Sequence, residues 1–181
     1  MLTLPSLRYD EFFVDKRLYP QYQRAAATFD GEWGVTNEAS YALSRLESKL
    51  FNKCTEALAP VARCTPSLLH GDLWIGNAGA NRAREPLVFD PAVWYGHDEF
   101  DLSISTLFGH FNPGMLKEYH RLRPRKDGFL KRQRVYRLFH LLNHLNLHGA
   151  GFGKGGSSEA PAGYLERVVE EAEAICKDAD E

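Results

Sequence analysis

One ten-residue stretch, Leu68-Leu69-His70-Gly71-Asp72-Leu73-Trp74-Ile75-Gly76-Asn77, concentrates the reactive side chains. A second stretch, Leu87-Val88-Phe89-Asp90, is an apolar run that closes on another aspartate. The order carboxylate, amide, carboxylate suits phosphoryl transfer to a hydroxyl. That reaction needs one carboxylate to orient the attacking hydroxyl and take its proton. It also needs an amide and a second carboxylate to hold a cation on the transferred phosphate. Asp72 is the residue placed to act as base, and Asn77 and Asp90 are the residues placed to bind metal and phosphate. Each has a plainer reading: Asp72 as a solvated loop carboxylate, Asn77 as a turn residue beside Gly76, Asp90 as a strand-end aspartate before Pro91. A magnesium site needs only one or two carboxylates besides phosphate oxygens and waters, so Asn77 and Asp90 suffice for one.

These residues must be positioned by their neighbours. Ser67-Leu68-Leu69 reads as a short buried strand running into His70. Trp74–Ala78 and Leu87–Asp90 are expected to pair as a hairpin with the polar segment 80–86 at its tip. Upstream, residues 7–28 read as a helix with Phe12, Phe13, Leu18 and Tyr22 as apolar contacts and Pro20 as a break or kink. A loop over 29–35, with Gly31, Trp33 and Gly34, leads to a helix capped at Thr36 or Asn37. That helix runs to Leu58, because Leu43, Leu46, Leu50, Cys54 and Leu58 recur at intervals of three or four. Pro60 and Pro66 bracket a connector. Downstream, a helical pattern covers 98–108, and Asn112-Pro113 reads as a cap and first helical position for a helix to Leu122. A long helix is expected over 127–148, ended by Gly149, and a last one over 161–177. The fold class is mostly α (α+β), with helices around a small catalytic β-hairpin.

Composition bounds the partners. At 181 residues and 44% apolar content the chain supports one core, and one domain is expected over 1–181. A net charge of −2 offers no electrostatic case for nucleic acid or an anionic membrane surface. Cys54, Cys64 and Cys176 form no metal or disulfide spacing, which points to free thiols in a reducing compartment. No signal peptide and no apolar run of membrane-spanning length is visible, so the expected location is the cytoplasm.

The catalytic stretch has the form H-G-D-x-x-x-x-N, and it resembles the catalytic loop of the protein-kinase-like small-molecule kinases. In that group H-G-D stands where protein kinases have H-R-D. The finer match is to the fructosamine-3-kinase, or ketosamine kinase, family. It is carried by Leu69-His70-Gly71-Asp72-Leu73-Trp74-x-Gly76-Asn77 and by Asp90-Pro91-Ala92-x-x-Tyr95-Gly96-His97-x-Glu99-Phe100. Glu11-Phe12-Phe13 with Arg17-Leu18, and Asn143-His144-x-Asn146, fit the same family. The resemblance runs from about Tyr9 to the final helix. It implies an ATP- and Mg²⁺-dependent ketosamine 3-kinase of protein deglycation repair. Its substrates would be fructosamine or ribulosamine adducts on protein lysines or small ketosamines. Asp72 would be the base, and Asn77 and Asp90 would hold Mg²⁺ on the nucleotide. Trp74, His97, Glu99 and His144 would contact substrate, and His70 and Asp101 would support the loop, Asp101 by accepting its N–H groups.

One departure bears on activity. Upstream of His70 there is no glycine-rich nucleotide loop and no V-A-I-K-like strand. The chain is therefore expected to be the C-terminal lobe only, a truncated form, with the nucleotide lobe absent. Two alternatives remain: a non-catalytic C-lobe that binds a sugar adduct or partner, and a phosphotransferase for an aminoglycoside- or choline-like alcohol. Three further features have plain readings. His140, His144 and His148 share a helix face among leucines, a buried stripe without a carboxylate or cysteine to complete a metal site. Gly151 to Gly156 satisfies G-x-G-x-x-G but follows a helix, and so reads as a flexible lip. Arg121 to Lys126 reads as a solvated basic helix end.

Overall fold

A computed structural model describes residues 8–29, 37–109, 111–149 and 163–177. The expected loop at 29–35, the cap at Thr36 and the glycine-rich segment beyond Gly149 lie outside these residues, apart from Phe29. The chain groups into two compact units, one of residues 1–63 and 137–181, the other of residues 64–136.

The first unit is helical. Helix α1 (Tyr9–Phe12) passes into a π-helical stretch, Phe13–Leu18, and then into α2 (Tyr19–Phe29). The expected break at Pro20 is thus a widened turn placed just before it. Proline has no N–H to donate, and its ring crowds the carbonyl four residues back, so looser winding upstream relieves both. Phe13, Leu18 and Tyr22 are buried as expected, whereas Phe12 is only half-buried. Helix α3 (Asn37–Leu58) follows the expected periodicity, with Leu43, Leu50, Cys54 and Leu58 buried and Leu46 half-buried. It packs on α7 (Tyr164–Lys177), whose Val168 and Ala172 are fully buried. Burial of each large apolar side chain here contributes about 1.5–3 kcal/mol.

The second unit holds the short strands. Strand β1 (Ser67–Leu69) pairs antiparallel with β4 (Trp94–Gly96), setting Leu69 opposite Trp94. Strand β2 (Ala78–Ala80) pairs antiparallel with β3 (Pro86–Val88), setting Ala78 opposite Val88. The catalytic-region hairpin is therefore shorter than expected, because residues 75–77 wind into a 3-10 turn that shapes the loop before β2 begins. Only Leu69 of β1 is buried; Leu68 is exposed. Helix α4 (Phe100–Ile104) is five residues long. Its expected extension to Phe108 unwinds into turns, where Thr106 and Leu107 donate backbone bonds to Ser103 and Ile104. Helix α5 (Pro113–Leu122) begins as expected, with Asn112 Oδ1 accepting the Gly114 N–H and Pro113 in the first turn. Helix α6 (Phe129–His148) starts in the second unit and ends in the first, where Gly149 N–H donates to Leu145 O.

Candidate active site

The loop after β1 turns at Gly71, which has φ +82°. A Cβ there would overlap the carbonyl oxygen of Ala92, so glycine meets both a left-handed backbone and a close approach of residues 91–93. The turn leaves two N–H groups without strand partners, and a carboxylate from α4 takes both. Asp101 Oδ2 accepts from His70 N at 2.7 Å, and Oδ1 accepts from Gly71 N at 2.8 Å. Burial pushes the Asp101 carboxyl above its ordinary pKa, and the two N–H bonds draw it back down.

The His70 imidazole ties the two catalytic stretches together. Asp72 N–H donates to Nδ1 at 3.3 Å, so the proton sits on Nε2, which donates to the Phe89 carbonyl at 2.9 Å. Phe89 N–H in turn donates to Asn77 O at 3.0 Å. Both polar backbone groups of Phe89 are thus held by the loop, which fixes the residue before Asp90. Asp90 has φ +52°, a conformation that aspartate tolerates better than most residues and that concentrates at functional sites.

Asn77 is buried, and its Nδ2 donates to Asp72 Oδ2 at 2.8 Å and to Asp72 O at 3.0 Å. Its Oδ1 and the exposed Asp90 carboxylate receive no protein hydrogen bond among the described residues. Hard oxygen donors of this kind fit Mg²⁺, which takes the rest of its coordination from phosphate and water. No group of three or more His, Cys, Asp or Glu residues among the described residues is arranged to hold a metal by itself. Trp74 is half-buried, with its ring over Gly76 and edge-to-face on Phe108 at 6.3 Å between centroids.

At the corner after β4 the structure gives His97 and Glu99, the residues expected to contact substrate, partners inside the unit. His97 is 2% exposed, with Nδ1 3.0 Å from the Tyr136 hydroxyl. Burial holds its pKa below the ordinary value, against the pull of Glu99 and Asp98. Both Glu99 oxygens accept from Arg132, Nε to Oε2 and Nη2 to Oε1, each at 2.7 Å, and Gln133 Nε2 donates to the Glu99 carbonyl at 2.8 Å. The local signal of Arg132 and Gln133 is a cation and an amide in a helix whose Val135, Tyr136 and Leu138 are also buried, since a buried charge requires an opposite partner. His144 belongs to the first unit. Its Nδ1 lies 2.8 Å from His140 O, and its ring lies 5.5 Å from that of Tyr164 and 5.8 Å from that of His148.

Helices with two short antiparallel ribbons, and an H-G-D-x-x-x-x-N loop whose histidine is bonded to the carbonyl just before Asp90, define a kinase-like fold. The fructosamine kinase family model matches residues 5–160, and the chain belongs to that family. It is 48% identical over 87 residues to ketosamine-3-kinase of Mus musculus, covering 48% of this chain and 28% of that protein. It is 33% identical over 148 residues to the chloroplastic protein-ribulosamine 3-kinase of Arabidopsis thaliana, covering 82% of this chain and 42% of that protein. The crystal structure of a candidate fructosamine-3-kinase from Thermobifida fusca superposes with a TM-score of 0.67 at 26% identity, over 94% of this chain and 51% of that one. The chain thus spans about half, or less, of the length of these relatives. Among the described residues no helix is long and apolar enough to cross a membrane.

Proposed function

We propose that the site transfers the γ-phosphoryl group of ATP to a sugar hydroxyl of a ketosamine, in the repair of glycated protein lysines or small glycated amines in the cytoplasm. The names of the mouse and Arabidopsis relatives, a ketosamine kinase and a protein-ribulosamine kinase, support the substrate class, and the family's own description supports fructosamine. The observation that carries the reading is the Asn77 amide bonded to the Asp72 carboxylate, on a loop whose backbone is held by Asp101 and His70. Asp72 orients the substrate hydroxyl and takes its proton as the sugar oxygen bonds to the γ-phosphorus and the bond to the β-phosphate oxygen breaks. Asn77 and Asp90 would hold Mg²⁺, which when bound neutralises charge on the phosphates. The half-buried Trp74 ring offers an apolar face to the sugar. Phosphorylation at O3 makes the adduct labile, which gives the reaction its repair character.

The test is Asp72→Asn in a form that also carries a nucleotide lobe, assayed on a lysine-linked fructosamine. A general base contributes about 10²–10⁴-fold, so kcat falls by that factor while ATP affinity stays within a few-fold. A variant within a few-fold of the parent rate removes Asp72 from the reaction.

A further inference from the structure

The basic segment Arg123-Pro124-Arg125-Lys126 is exposed, as expected of a solvated helix end, and it also lines a concave surface. It forms one wall of a cleft of about 260 Å³ in the second unit. The same cleft is lined by the two carboxylates Asp98 and Glu99. Both are already offset: Glu99 by the buried guanidinium of Arg132, and Asp98 by Arg123 at 3.9 Å. Three cations and two carboxylates line the cleft, and Arg132 adds a fourth cation behind Glu99, leaving a surplus of two positive charges.

Of the surplus cations, the Arg125 guanidinium is braced by its neighbours. Arg125 Nε donates to His120 Nε2 at 3.0 Å, and the Arg125 guanidinium lies over the Phe129 ring at 4.8 Å. An arginine N–H only donates, so His120 accepts at Nε2 and directs its Nδ1 proton to the Arg123 carbonyl, 3.4 Å away. The terminal nitrogens of Arg125 and the Lys126 ammonium have no protein acceptor among the described residues. The backbone under them is pinned from within: Arg132 Nη2 donates to Lys126 O at 3.3 Å and Nη1 to Asp127 O at 2.6 Å. Leu102, Leu122 and Phe129 supply apolar wall.

We propose that this cleft, apart from the catalytic loop, binds a small organic phosphate. The phosphate group sits between Arg125 and Lys126, and the organic body lies against the apolar wall. Two surplus charges match a phosphomonoester dianion, and a braced guanidinium is suited to a bidentate grip on phosphate oxygens. The proposal does not rest on the kinase reading. The two cleft carboxylates do adjoin α4, the helix whose Asp101 holds the catalytic loop.

The experiment is calorimetric titration of the full chain with phenyl phosphate, inorganic phosphate and phenol. EDTA is present, so no metal can recruit phosphate to Asp90. The expected result is one saturable site for phenyl phosphate with Kd below about 1 mM, several-fold weaker binding of inorganic phosphate, and none of phenol. Arg125→Gln and Lys126→Gln each weaken phenyl phosphate at least ten-fold, as expected for loss of a charge-assisted contact. Arg121→Gln, removing a cation paired with Glu118 outside the cleft, leaves it unchanged. His120→Ala keeps the arginine and lysine charges but removes the brace on Arg125, and also weakens binding. No saturable binding, equal affinity for the two phosphates, equal loss on Arg121→Gln, or indifference to His120→Ala overturns the proposal.

Discussion

The Asn77 amide nitrogen stands 2.8 Å from Asp72 Oδ2. A neutral donor in this place does two things: it fixes the rotamer of the carboxylate and sets no second negative charge beside it. An acidic residue there would do neither.

Asn77→Asp places a second carboxylate against Asp72 at nearly unchanged volume. Two carboxylates in one site cannot both ionise freely, so one titrates at raised pH. The acid limb of the kcat/KM profile for a ketosamine substrate moves to higher pH, and the maximal rate falls by about 10²-fold or more, the usual loss for one preorganised group. An unshifted acid limb would show that the pair does not set the charge on Asp72.

Asp101→Ala leaves the His70 and Gly71 N–H groups without their acceptor in a partly buried loop. Each unsatisfied group costs about 1–3 kcal/mol, so unfolding free energy in urea drops by about 2–6 kcal/mol. Asp101→Asn falls between, because its amide offers one acceptor oxygen where the carboxylate offers two. Equal stability of Asp101→Ala and the parent chain would mean that water replaces both bonds.

Stability falls with acid through His140. Burial pushes this imidazole down to about 3 from its ordinary 6.5, with smaller contributions from His144 and Arg17. The unfolded chain takes up a proton as pH falls through 6.5, whereas the folded chain does so only near 3. The contribution is therefore complete above pH 6.5 and is lost as pH falls towards 3, at up to about 1.4 kcal/mol per pH unit. Urea unfolding at several pH values shows this slope, and His140→Leu reduces it by about one proton's worth. A slope unchanged by His140→Leu would assign the proton to another group.

Gly71→Ala meets both a positive φ and the Ala92 carbonyl, and separates the loop from the segment leading into β4. Strain and overlap together destabilise by about 3 kcal/mol or more. Gly79→Ala is the control: its added carbon would lie 3.7 Å from the Phe89 ring, an ordinary contact. Its effect stays within about 0.5 kcal/mol. Thermal unfolding of the two variants separates these outcomes.

The sequence by itself determined the order and local spacing of the chemistry, from His70 through Asp72 and Asn77 to Asp90, although the strand before Asp90 stops at Val88. It also determined the Asn112-Pro113 helix start and the periodicity of α3. Each of these depends on neighbours within a turn or two, where residue type and interval suffice. The tertiary structure alone decided what surrounds them. Asp101 lies 31 positions from His70 and Arg132 lies 33 from Glu99, so no local interval records either pairing. The same holds for the 34 positions between Glu99 and Gln133 and the 39 between His97 and Tyr136. His97 and Glu99 therefore looked available to a substrate until α6 supplied their partners. The basic segment after α5 is solvated as its composition suggests, but the anchoring of its backbone by Arg132 is a pairing across five and six positions that the composition does not record. A buried charge is stable only opposite a partner, and which partner arrives depends on how distant helices pack.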